Sequence, residues 1–91
     1  MQTLHLLIKG KVQRVSYRAT AKSMAEKIGV KGWVRNTEDG NVEAVISGTI
    51  EKVQQFADWS GIGPSGAKVT QLVITEIEET SFDTFAIKGK L

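Results

Sequence analysis

Arg18 stands in the first turn of a helix predicted over residues 17–28. The helix macrodipole opposes a cation at that end, by roughly 0.3–1 kcal/mol. The same end exposes backbone N–H groups without intrahelical partners, and these favour an anion. A guanidinium there makes chemical sense when an anion sits between it and the amides. The preceding loop, Lys11-Val12-Gln13-Arg14-Val15-Ser16, is basic and holds no carboxylate. Lys11 to Arg18 therefore reads as a cradle for a small oxyanion, or else as a basic surface loop followed by a surface arginine. Other catalytic devices are scarce. The chain has no cysteine and one histidine, His5. Thiol catalysis, disulfides, Cys-based zinc sites and a His-rich metal site are thereby excluded.

These residues need elements to hold them. Leu4, Leu6 and Ile8 alternate with His5, Leu7 and Lys9, the pattern of a strand over residues 3–9. Gly10 ends it. Tyr17, Ala21, Met24, Ala25 and Ile28 make one apolar stripe along the helix, with Ser16 as a plausible N-cap and Gly29 as a C-terminal stop. Strands are predicted over 30–36 and 42–46, joined by a polar turn containing Asp39-Gly40, a hairpin signal. Thr49 caps a second helix that buries Ile50, Val53, Phe56 and Ala57 and ends near Ser60. A fourth strand follows over 68–78, and Phe82, Phe85 and Ile87 mark a short last one. The order β-α-β-β-α-β plus one strand predicts an α+β, ferredoxin-like two-layer sandwich, an antiparallel sheet with two helices on one face.

Length and charge narrow the rest. Ninety-one residues predict one domain spanning 1–91, 41% hydrophobic and 24% charged. No apolar run approaches a membrane span, and no export signal is visible, so the cytoplasm is expected. Residues 1–36 carry eight Lys/Arg against one acid, whereas residues 37–91 carry four against nine. That asymmetry predicts an anionic partner for the N-terminal elements, although an uneven solvated surface would look the same.

Gly10-Lys11-Val12-Gln13-Arg14-Val15-Ser16-Tyr17-Arg18 resembles the acylphosphatase signature Gly-x-Val-Gln-Gly-Val-x-Phe-Arg. Gly32-Trp33-Val34-Arg35-Asn36, with Gly40, Val42 and Gly48 following in step, resembles the second signature of that family. The likeness extends over essentially the whole chain. It implies hydrolysis of acyl phosphates to a carboxylate and inorganic phosphate, without metal or cofactor. It further implies that Arg18 binds the phosphoryl group and that the loop Arg14, Val15, Ser16 and Tyr17 supplies N–H donors. Asn36 would position the attacking water. A carboxamide cannot act as a base near neutrality, but its carbonyl oxygen can orient a water. Asn at a strand end is also a common turn residue.

Arg14 departs from the pattern, because the family has glycine there. If that position needs a left-handed backbone, a side chain costs roughly 1–2 kcal/mol. The alternative function is therefore a catalytically impaired anion- or nucleic-acid-binding module on the same fold. Sheet-based RNA readers need aromatics on central strands, and the first strand has none, which argues against nucleic acid. A small-molecule acyl phosphate is the expected partner, and a monomer is the expected state. Gly61-Ile62-Gly63-Pro64-Ser65-Gly66 matches Gly-x-Gly-x-x-Gly but follows a helix and precedes a strand, the reverse of a dinucleotide site. His5 is expected to be structural, and Trp33 and Trp59 to sit in or at the edge of the core. Glu76, Glu78 and Glu79 read as a solvated strand end rather than a metal site.

Overall fold

Alternation along the first strand decides which way the sheet faces. In the computed structural model, which describes residues 1–89, β1 runs over Gln2–Lys11. Leu4, Leu6 and Ile8 are buried on one of its faces, and His5, Leu7 and Lys9 line the other. α1 covers Tyr17–Ile28, β2 Lys31–Asn36, β3 Val42–Gly48, α2 Ile50–Ser60, β4 Lys68–Ile77 and β5 Phe85–Ile87. The sheet order is β4-β1-β3-β2-β5. β1 pairs antiparallel with β3 (Leu6 opposite Ala44) and with β4 (Leu6 opposite Ile74), and β3 pairs antiparallel with β2 (Ala44 opposite Val34).

The expected antiparallel sheet is corrected at one edge. β5 lies parallel to β2, with Trp33 opposite Ala86, so the sheet is mixed. Connectivity requires this. β4 descends beside β1 and ends near Thr3. The next segment crosses that end of the sheet, where the Thr80 amide donates to Thr3 Oγ1 at 2.9 Å. The chain can then only turn back in the direction of β2. Phe82 belongs to this crossing segment and lies outside the strand in which it was expected.

Both helices cover the Leu4–Ile8 face. Tyr17, Ala21 and Ala25 of α1 and Val53, Phe56 and Ala57 of α2 join Leu6, Ile8, Val34, Ala44 and Ile46 in one buried cluster. Burying each large apolar side chain there contributes about 1.5–3 kcal/mol. Thr49 caps α2 as expected, its Oγ1 accepting from the Lys52 amide at 3.3 Å. Among the described residues the opposite sheet face carries no helix. There His5 Nε2 lies 2.6 Å from Glu43 Oε2, and Arg35 Nε donates to Glu43 Oε1 at 2.6 Å. His5 is thus structural. Trp33 shares that outer face rather than the core, with Lys88 Nζ at 4.5 Å and the Arg35 guanidinium at 5.7 Å from its ring centroid.

Candidate active site

Gly10 launches the loop between β1 and α1. The pairing of β1 with β4 shifts register between Lys9 and Gly10, and Gly10 adopts φ 128°. A Cβ at this position would meet the Lys68 carbonyl oxygen at 2.1 Å. Only glycine lets the chain leave the sheet so tightly. Two non-glycine residues follow in left-handed conformations, Arg14 at φ 61° and Ser16 at φ 60°. Left-handed residues interspersed along a loop turn successive N–H groups toward one side and make an anion-binding hollow.

Ser16 occupies the N-cap position of α1, but its side chain makes no capping hydrogen bond. A capping side chain reaches the helix amides from an extended backbone, and the left-handed Ser16 does not have one. The first turn of α1 also holds no acid. The first helical amide bond runs from Thr20 to the Ser16 carbonyl at 3.0 Å. The earlier amides are left for another acceptor.

A cavity of about 220 Å³ opens at this helix end, lined by Val12, Arg14, Ser16, Tyr17, Arg18, Ala19, Asn36 and Ile87. Arg18 arrives from α1, and Asn36 from the end of β2. Alternation puts Asn36 on the helix-covered side with Val34 and turns Arg35 outward to Glu43. Val15 does not line the cavity; its side chain packs against the core. Among the described residues no carboxylate lines it either. Among the described residues the ion pairs are His5–Glu43 and Arg35–Glu43, and neither Arg14 nor Arg18 takes part in one.

Two supports hold this arrangement. Tyr17 is 3% exposed, and its hydroxyl donates to the Ser60 carbonyl at 2.7 Å. Burial pushes the phenol well above its ordinary range, so it stays neutral. Its ring lies 5.3 Å from that of Trp59, at the edge of the core, and a Cβ on Gly63 would come within 2.9 Å of it. The glycine-rich 61–66 loop therefore packs on Tyr17. The second support is Gln13, whose Nε2 donates to the carbonyls of Thr37 at 2.9 Å and Asn41 at 2.8 Å. This ties the loop to the turn beginning beside Asn36. Sequence reasoning missed Gln13 as a brace and missed Val12, Ala19 and Ile87 as cavity walls. Gln13 was visible as the one amide side chain in the loop. Ile87 had no local signal, because it depends on where β5 docks.

The acylphosphatase family model matches residues 4–87. The chain belongs to the acylphosphatase family. The acylphosphatase of Bordetella parapertussis is 44% identical over 94% of this chain and 93% of its own length. That of Thiobacillus denitrificans is 47% identical over 86% of this chain and 88% of its own. The solved structure of an acylphosphatase from Coxiella burnetii superposes with a TM-score of 0.92 at 30% identity, covering 96% of this chain and 92% of the other. The activity of this acylphosphatase is hydrolysis of acyl phosphates, which are small substrates. These relationships do not favour an impaired binding module. No helix among the described residues is long and apolar enough to cross a membrane.

Proposed function

We propose that this acylphosphatase binds the phosphoryl group of its substrate between Arg18 and the amides of the Arg14–Tyr17 loop, and that Asn36 aims the attacking water. The observation that carries this reading is the shared cavity. It sets a guanidinium and a carboxamide from different elements beside an uncapped helix N-terminus. Arg18 and the amides match the charge on the equatorial oxygens. Because they are already in place, little reorganisation is needed as the P–O bond to the carboxylate loosens. Asn36 accepts a hydrogen bond from water through Oδ1 and holds it in line with phosphorus. The carboxylate is a good leaving group, so no protein acid is required. The water's proton passes to a phosphoryl oxygen.

The donor set argues for a metal-free reaction. Two arginines and, among the described residues, no acidic residue line the cavity, a set that would repel a divalent cation rather than hold one. A monomer, folded as one domain and acting in the cytoplasm, belongs to the same proposal. Titration with inorganic phosphate, read by backbone amide chemical shifts, tests the site. Residues 14–19 are expected to shift in the wild type and to stay in place in Arg18→Gln. Shifts confined to the outer sheet face around Trp33 would refute the assignment.

A further inference from the structure

Arg14 is the residue that the phosphate site leaves unexplained. We infer that it is a specificity determinant selecting acyl phosphates whose acyl part carries a second anionic group. This rests on Arg18 holding the phosphoryl group, and it goes beyond that reading by assigning the other end of the substrate.

Three observations converge on Arg14. Its backbone sits at φ 61°, where a residue with a Cβ costs roughly 1–2 kcal/mol. The loop would form more easily with glycine, so the side chain is held at a cost. Arg14 is exposed and is one of the residues that line the cavity. It takes part in none of the ion pairs among the described residues, so its donors are open to a ligand. The rest of the wall supplies what such a ligand needs. Ala19 and Ile87 offer apolar surface for the body of an acyl group, and among the described residues no carboxylate lines the cavity to repel its far end. A phosphoryl group matched by Arg18 and the helix amides leaves Arg14 as a second, uncommitted cation. A planar, permanently charged fork suits a carboxylate or a phosphate.

A matched pair of substrates separates this role from general help to the phosphate. Benzoyl phosphate and its 3- and 4-carboxylated analogues transfer the same phosphoryl group from the same kind of aryl carboxylate and differ chiefly in the remote charge. The wild type is expected to favour at least one carboxylated analogue in kcat/KM by roughly fivefold, the scale of an exposed ion pair. Added salt should erode that preference. Arg14→Asn, which tolerates the left-handed backbone and lacks the charge, should bring the ratio to about one. Arg14→Lys should keep most of it. A wild-type ratio at or below one, or equal ratios in the Asn and Lys variants, overturns the inference. If Arg14 serves only the phosphate, both substrates lose equally and the ratio does not move, which also overturns it. Failure of the phosphate-site reading would show separately, as benzoyl phosphate turnover that does not depend on Arg18.

Discussion

Gln13 donates a hydrogen bond to the carbonyl of Thr37, the residue after Asn36, at 2.9 Å. The same nitrogen reaches the Asn41 carbonyl at 2.8 Å. Thr37 and Asn41 are themselves bonded, the Thr37 amide to the Asn41 carbonyl at 2.9 Å. One side chain therefore ties the loop proposed to receive the phosphoryl group to the strand end that carries the proposed water-holding carboxamide. A misplacement of about 1 Å between reacting groups can lower a rate on the order of a hundredfold.

Replacing Gln13 with alanine should lower kcat about tenfold or more while changing KM less, because the cradle stays and the water-holding side drifts. Stability should fall by about 1–2 kcal/mol from two lost hydrogen bonds. Gln13→Glu should be worse still at neutral pH, because a carboxylate cannot donate to the two carbonyls. Steady-state kinetics with benzoyl phosphate and urea denaturation measure both effects. A variant that loses stability with kcat intact would make Gln13 structural only.

Part of this site was legible in the sequence and part was not. α1 could be read from Tyr17, Ala21 and Ala25, because helical spacing is local and the packing confirms it. Arg18 and Asn36 could be singled out because two motifs place them, and the structure brings both to one cavity. Ser16 misled in part. Its residue type predicts a side-chain cap, whereas a left-handed backbone turns the position into a gap in the capping. Trp33 was expected in or beside the core by size and polarity. Its neighbour Val34 takes the helix-facing position instead, and the ring lies under the Lys88 ammonium. β5 has three residues, too few for periodicity to reveal its partner, so its parallel docking and the reach of Ile87 into the cavity wall emerge only in three dimensions.

Gly10→Ala should be among the most damaging single substitutions outside the core. Its Cβ would fall 2.1 Å from a backbone oxygen of β4, at a φ of 128° that alanine resists. A loss of roughly 3 kcal/mol or more is expected from combined clash and strain. Thermal denaturation monitored by circular dichroism would check it, and a variant within about 0.5 kcal/mol of wild type would show that the loop can leave the sheet by another path.

Tyr17→Phe strips the hydroxyl from a buried hydrogen bond and leaves the Ser60 carbonyl without that donor. A cost of about 1–2 kcal/mol in urea denaturation is expected. The change should also remove any fluorescence coupling that depends on the tyrosine beside Trp59, whose ring centroid lies 5.3 Å away.

Acid should destabilise the protein partly through Glu43. Burial raises the pKa of its carboxyl, but hydrogen bonds from His5 and Arg35 outweigh that and hold it below the ordinary glutamate range. The unfolded chain thus takes up this proton at a higher pH than the folded one. The stabilisation is complete above the ordinary glutamate pKa and fades as pH falls through the lower, folded value. Glu43→Gln should flatten the pH dependence of stability in that acid window, as read from urea midpoints between neutral and acid pH. An unchanged slope would contradict the role of the His5–Glu43–Arg35 cluster.

The most direct test of the site is the kinetic split between its two working side chains, measured with benzoyl phosphate in the presence of a chelator. Arg18→Gln is expected to lose both affinity and rate, with kcat/KM down on the order of a thousandfold or more. Asn36→Ala is expected to keep KM near the wild-type value while kcat falls about a hundredfold. Folded variants of both residues that still turn over within a few fold of wild type would contradict the account and move the chemistry elsewhere on the protein.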